Sequence, residues 1–145
     1  MATKIFHGRS SRYAVVGFSL LELMIVVAII AILAAIANTS YRDYVIKSRR
    51  AAAATCLLER AHFMERFYTT KLTYAGAPNP PAQCGPELNG FYTIAFSGTP
   101  AAKTFVLTAT PSAKQDDSKC GTLSLNAQGA RAASGTASST PAVCW

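Results

Sequence analysis

From Leu20 to Ala37 every residue but one is apolar, and the exception, Glu22, stands in the first turn of the run. With Gly17, Phe18 and Ser19 in front, the stretch matches the roughly 20 residues that a helix needs to cross a bilayer. A lone carboxylate carried into hydrocarbon costs several kcal/mol, about 3 or more, unless something pairs with it. Glu22 therefore requires a partner. Cutting the chain between Gly17 and Phe18 would create an α-amino group four residues away, able to neutralise the carboxylate of a neighbouring copy and to set register during lateral assembly. A capping box, Ser19 at the N-cap and Glu22 at the third helical position, accounts for the same residues as the start of an ordinary membrane helix. Glu22→Gln separates the two readings, because it keeps the cap and removes the charge.

The run Gly17-Phe18-Ser19-Leu20-Leu21-Glu22, behind a short leader carrying Lys4, Arg9 and Arg12, closely resembles the signature of the type IV pilin (prepilin) family. The resemblance implies cleavage after Gly17 by a prepilin peptidase, N-methylation of Phe18, and a register role for Glu22 in a filament core. It further implies the pilin fold, an α+β arrangement in which a long N-terminal helix packs on a small antiparallel sheet. Implied partners are other pilin subunits, the peptidase/methyltransferase, an inner-membrane assembly platform, and lipid before assembly. The implied location is the inner membrane as a single-pass prepilin with its C-terminal domain in the periplasm, then the extracellular filament. The leader lacks the small-x-small cleavage site of a secretory signal peptide. It also places Ala14-Val15-Val16 before the glycine, where pilin leaders commonly carry Lys or Arg.

A chain of 145 residues has room for one anchored helix and one small domain. The formal charge is +7; without the three leader cations, 11 Lys and Arg face 7 Asp and Glu, leaving a mildly basic +4. All four cysteines, Cys56, Cys84, Cys120 and Cys144, follow the apolar run, which suits two disulfides in an oxidising compartment. Four cysteines allow three pairings. Pairing sequence neighbours, Cys56 with Cys84 and Cys120 with Cys144, closes the shortest loops, each stabilising by about 3 to 4 kcal/mol. A zinc site is the competing use, but there is no Cys-x-x-Cys, and His62 is the one histidine after the leader. No metal or cofactor is expected.

Neither Gly nor Pro occurs between Phe18 and Gly76, so the helix should run on past the apolar span and end near Thr69 to Tyr74. Ala53, Leu57, Ala61, Met64 and Tyr68 mark a face that should carry the sheet, with Arg49, Arg50, Glu59, Arg60 and Arg66 on the remainder. Ala37-Asn38-Thr39-Ser40-Tyr41 occupies the place where many pilins have a helix proline. After the loop around Gly76 to Pro81 come three expected strands, Phe91–Phe96, Thr104–Thr110 and Thr122–Leu125, forming a meander. The tail from Ala132 to Ala142 is Ala-, Ser-, Thr- and Gly-rich, and would need a clamp such as Cys120–Cys144.

The organisation expected is a leader over 1–17, a membrane and filament-core helix over 18–45, and a periplasmic domain over 46–145. That domain comprises the rest of the helix, a loop at 75–90, a meander at 91–126 and a disulfide loop at 120–144. Glu65-Arg66-Phe67-Tyr68, the run Cys120 to Asn126, Gly129-Ala130-Arg131 and the final Cys144-Trp145 resemble the PilE-type minor pilins of the type IVa pilus. The function expected is thus a non-enzymatic minor subunit that primes or joins the pilus and so serves motility, adhesion or DNA uptake. The alternatives are a type II secretion pseudopilin, a major pilin, or a DNA-binding competence pilin. An enzyme has no support: there is no catalytic triad, no phosphate loop, and Asp116-Asp117 reads as a solvated turn. Lys47, Arg49 and Arg50 cluster, but basic side chains just past an apolar span commonly sit against phospholipid headgroups, so nucleic acid is not expected as a partner.

Overall fold

The structure, a computed structural model, describes residues 17–79 and 84–145. Of the leader expected over 1–17, all but Gly17 lies outside the described residues, Lys4, Arg9 and Arg12 included, as does the stretch 80–83 of the expected loop. The chain divides into two compact units at Asn38 and Thr39.

Helix α1 spans Leu20–Lys71, 52 residues without a break at Thr39. In the first unit its apolar side chains from Leu20 to Ile36 are all exposed, as on a surface meant for hydrocarbon or neighbouring helices. In the second unit one face is buried: Arg50, Ala53, Ala54, Cys56, Leu57 and Met64. Ala53, Leu57 and Met64 sit inward as the helical spacing required, while Ala61 and Tyr68 are half-buried. Arg50 was expected on the polar side and is instead 6% exposed. The same periodicity explains it, since Arg50 stands three, four and seven residues before Ala53, Ala54 and Leu57. The helix ends where Leu72 takes a left-handed conformation, φ 56°, with its N–H on Tyr68 O at 2.7 Å.

Four antiparallel strands lie in chain order: β1 Tyr92–Phe96, β2 Val106–Pro111, β3 Leu123–Asn126 and β4 Arg131–Ala133. Register pairs Ile94 with Ala109, Leu107 with Leu125, and Leu123 with Ala133. Period-two alternation buries Tyr92, Ile94, Leu107, Ala109, Leu123, Leu125 and Ala133 in one core with the α1 face, and turns the small and hydroxyl side chains Thr93, Thr108, Thr110 and Ser124 outward. The three expected strands are present with ends shifted by one or two residues. The fourth was missed. Its turn is built on Asn126, whose Oδ1 accepts the N–H groups of Gln128 and Ala130, with Gly129 at φ 75°.

The tail beyond β4 is hydrogen-bonded and not merely clamped. Ser134, Gly135, Thr136 and Ala137 donate their N–H groups to Thr122, Cys120, Ser118 and Lys119 carbonyls at 3.0 to 3.2 Å for the first three and 2.9 Å for the last. That close approach needs Gly135, where a Cβ would fall 2.5 Å from the carbonyl oxygens of Ser118 and Lys119. The two disulfides join Cys56 to Cys84 and Cys120 to Cys144, with Cα separations of 5.6 and 5.7 Å. This is the pairing of sequence neighbours.

Candidate functional site

At the amino end, Ser19 caps α1: its Oγ accepts the Glu22 N–H at 3.2 Å, and its carbonyl accepts from Glu22 and Leu23. Gly17 and Phe18 precede the helix, and the Phe18 ring is exposed. The Glu22 carboxylate is exposed too and has no partner among the described residues. Serine alone makes the cap, so the reciprocal arm of a capping box is not what holds Glu22 here.

A second site is buried in the globular unit. Arg50 donates from Nε to Asp117 Oδ2 at 2.7 Å and from its terminal guanidinium nitrogen to Asp117 Oδ1 at 2.8 Å, a bidentate ion pair. Tyr92 Oη donates to Asp117 Oδ2 at 3.0 Å, and the Cys120 N–H to Oδ1 at 3.2 Å. Gln115 Nε2 donates to the Ile46 carbonyl at 3.0 Å and approaches Tyr92 Oη at 3.4 Å. The knot thus ties α1, β1 and the β2–β3 loop to one another beside the Cys120–Cys144 bridge. Burial by itself would raise the Asp117 carboxyl, but the hydrogen bonds from Arg50, Tyr92 and the Cys120 N–H, with the Arg50 charge, hold it below the usual carboxylate range. Burial, then the Asp117 charge and hydrogen bond, push the Tyr92 phenol well above its ordinary value. Asp117 was expected in a solvated turn. Asp116 is indeed exposed, at φ 44°, but Asp117 turns inward and is 4% exposed.

Around the knot runs a basic groove between α1 and the β2–β3 loop. Tyr41, Arg42, Arg49, Lys114 and Gln115 line a cavity of about 140 Å³ at one end. Lys47 and Lys119 line the depressions that follow, the last of which reaches Trp145. Arg49 lies over the Phe91 ring, its Cζ 3.5 Å from the centroid. The Trp145 ring is fixed by an Nε1–H bond to Ala132 O at 3.1 Å, with the Arg131 guanidinium 5.3 Å from its centre. Of the expected cluster Lys47, Arg49 and Arg50, only the first two reach the groove as cations, since Arg50 is cancelled by Asp117. Arg42, Lys114 and Lys119 join them and were missed. Lys114 and Lys119 bracket the Asp116-Asp117 turn, the one trace of them in the sequence.

Residues 39–124, more than half of the chain, match the family described as type IV minor pilin ComP, DNA uptake sequence receptor. Residues 17–38 match the prokaryotic N-terminal methylation motif. Among curated relatives, the fimbrial protein EcpC of Eikenella corrodens is 38% identical over 94 residues, covering 65% of this chain and 61% of that protein. A type IV major fimbrial protein FimA of Dichelobacter nodosus is 44% identical over 78 residues, 46% of this chain and 49% of that one. The chain thus spans less than two thirds of these relatives' own length. A type IV pilin from Shewanella oneidensis of known structure is 31% identical, aligned over 69% of this chain and 97% of that one, with a TM-score of 0.50. The long helix on a disulfide-braced antiparallel sheet, the methylation motif and the match across the globular unit agree: this chain is a type IV pilin, a non-enzymatic structural subunit, and belongs to the minor-pilin family of ComP.

Proposed function

We propose that this chain is a minor pilin that binds DNA at the filament and serves its uptake. The observation that carries the reading is the match of residues 39–124 to the family described as a DNA uptake sequence receptor. It supports the competence-pilin alternative over the PilE-like assembly or priming role expected first, and it favours nucleic acid as a partner where the sequence alone gave no reason to expect one. The mild positive charge after the leader and the basic groove are consistent with a polyanionic ligand. The anchoring half of the mechanism is the one proposed from the signature: cleavage between Gly17 and Phe18, methylation of Phe18, storage in the inner membrane, and Glu22 paired with a neighbour's N-terminal amine in the filament. Deleting this chain in its host should abolish uptake of labelled DNA while sheared pili persist at normal abundance. Loss of the pili themselves would restore the priming reading.

A further inference from the structure

We propose that the cavity of about 140 Å³ that holds Gln115 is a headgroup site for phosphatidylethanolamine, filled while the subunit is stored in the membrane. The proposal rests on the membrane-storage reading above and is independent of the DNA reading. Its starting point is one atom, Gln115 Oε1. Gln115 is 1% exposed, and among the described residues no donor reaches this oxygen. Turning the amide over gives no relief, because Nε2 donates to the Ile46 carbonyl at 3.0 Å and approaches Tyr92 Oη at 3.4 Å, and a flip would set oxygen against oxygen at Ile46. A buried acceptor held without a donor costs free energy, which a ligand bringing that donor regains. The cavity that Gln115 lines is far larger than a single water requires, so there is room for such a ligand.

The rest of the lining specifies the ligand. Arg42, Arg49 and Lys114 offer donors to an anion, and among the described residues none of the three is ion-paired. Arg49 lays its face on Phe91, which leaves its N–H edge for a phosphate. Asp116, next to Gln115 and exposed at φ 44°, brings a carboxylate to the same cavity. Tyr41, Val45 and Ile46 add an apolar wall. Cations for a phosphate, a carboxylate and an unpartnered amide oxygen for an ammonium, and an apolar strip for the two carbons between them complement one zwitterion, phosphoethanolamine. A phosphodiester backbone has no such donor and would leave Gln115 Oε1 unpartnered. Position points to a lipid as the source: Tyr41 follows Ala37, the end of the apolar run, by four places on α1. Tyr41 and Tyr44 are both exposed, as aromatic residues are at a membrane–water interface, and cations in these turns meet the headgroup layer.

The test offers the full chain, in maltoside micelles, equal amounts of phosphatidylethanolamine, phosphatidylcholine and phosphatidylglycerol of one acyl composition, and counts single-lipid adducts by native mass spectrometry. The ethanolamine adduct should exceed each of the others by about tenfold, because choline keeps the charge but has no N–H to donate, and glycerol brings no cation to Asp116. Asp116→Asn, which keeps a residue tolerant of the left-handed backbone, should lower the ethanolamine-to-choline ratio by about threefold. Arg42→Gln with Lys114→Gln, both at exposed positions, should weaken all three adducts by about tenfold, since each lipid carries the phosphate. Arg42→Lys with Lys114→Arg should retain binding, which separates lost charge from misfolding. Arg66→Gln with Lys71→Gln, exposed and outside the cavity, should bind as the parent does. Equal adducts of the three lipids on the parent would overturn the site, as would a preference for phosphatidylglycerol, a ratio unmoved by Asp116→Asn, or equal weakening by the two glutamine pairs. Any of these leaves membrane storage standing. Failure of the parent to float with liposomes would overturn the storage reading and the site with it.

Discussion

Asp117 shows how far one side chain's role can lie from its local pattern. Asp117→Asn would leave the buried Arg50 guanidinium without its counter-charge, and such half-broken pairs cost about 3 to 5 kcal/mol. We expect a loss of about 3 kcal/mol in urea unfolding of the full chain in detergent at neutral pH; a change under about 1 kcal/mol would show the pair to be idle. The pH dependence follows from the direction of the shift. A carboxyl whose folded pKa lies below its unfolded value contributes stability above the unfolded value, near pH 4, and loses it as pH falls through the folded one. The parent's stability should therefore drop below about pH 4, and Asp117→Asn should flatten that limb. In the sequence Asp116-Asp117 reads as a turn, and the turn is there. The partner that buries one of the two stands 67 residues away, a separation no local spacing encodes. Arg50 is more legible, since it continues the apolar face in phase, although its charge alone points to the polar side.

At the scale of elements, the legible features were those written in periodicity. The uninterrupted span without Gly or Pro gave α1, and alternation gave β1 to β3. Strand β4 is three residues of Arg and Ala, with no β-branched or aromatic residue to mark it. It exists because the Asn126 turn returns the chain to β3, and because the tail beyond it bonds to residues 118–122. The end of α1 carries a testable mismatch. Leu72 occupies the left-handed position after the helix that glycine commonly fills, a conformation costing a leucine roughly 1 to 2 kcal/mol, and its side chain is 76% exposed, with little packing to lose. Leu72→Gly should therefore stabilise the globular unit by about 0.5 to 1 kcal/mol after the added chain entropy, a rise of about 4 °C in Tm. An unchanged or lowered Tm would mean that Leu72 is held by something other than backbone geometry. The converse case is Gly135→Ala, which should destabilise by about 2 kcal/mol in the same melt, because its Cβ would drive the tail off residues 118 and 119.

For the whole molecule, the decisive asymmetry is between a globular unit with a buried apolar core and a helix segment, Leu20 to Ile36, whose apolar side chains are all exposed. Such a segment is stable in lipid or among copies of itself, and Glu22 distinguishes those two homes. In lipid a carboxylate near the start of the span can stay close to the interface; in a packed core of apolar helices it needs a cation, and we propose that the α-amine of a neighbouring Phe18, which the signature implies is freed by cleavage, supplies it. Since Ser19 makes the cap without help from the carboxylate, Glu22→Gln should leave helix formation and membrane insertion intact. Chain recovered from the inner-membrane fraction should match the parent in amount, whereas recovery from sheared filaments should fall by about tenfold or more, the equivalent of about 1.4 kcal/mol of lost pairing. Mass spectrometry of both fractions also reads the first residue. A peptide beginning at methylated Phe18 in the membrane pool of the variant would show that processing is intact and that the defect lies in assembly. Equal recovery of parent and variant from filaments would mean that apolar packing alone sets the register, and that the one charge in the span has no part in it.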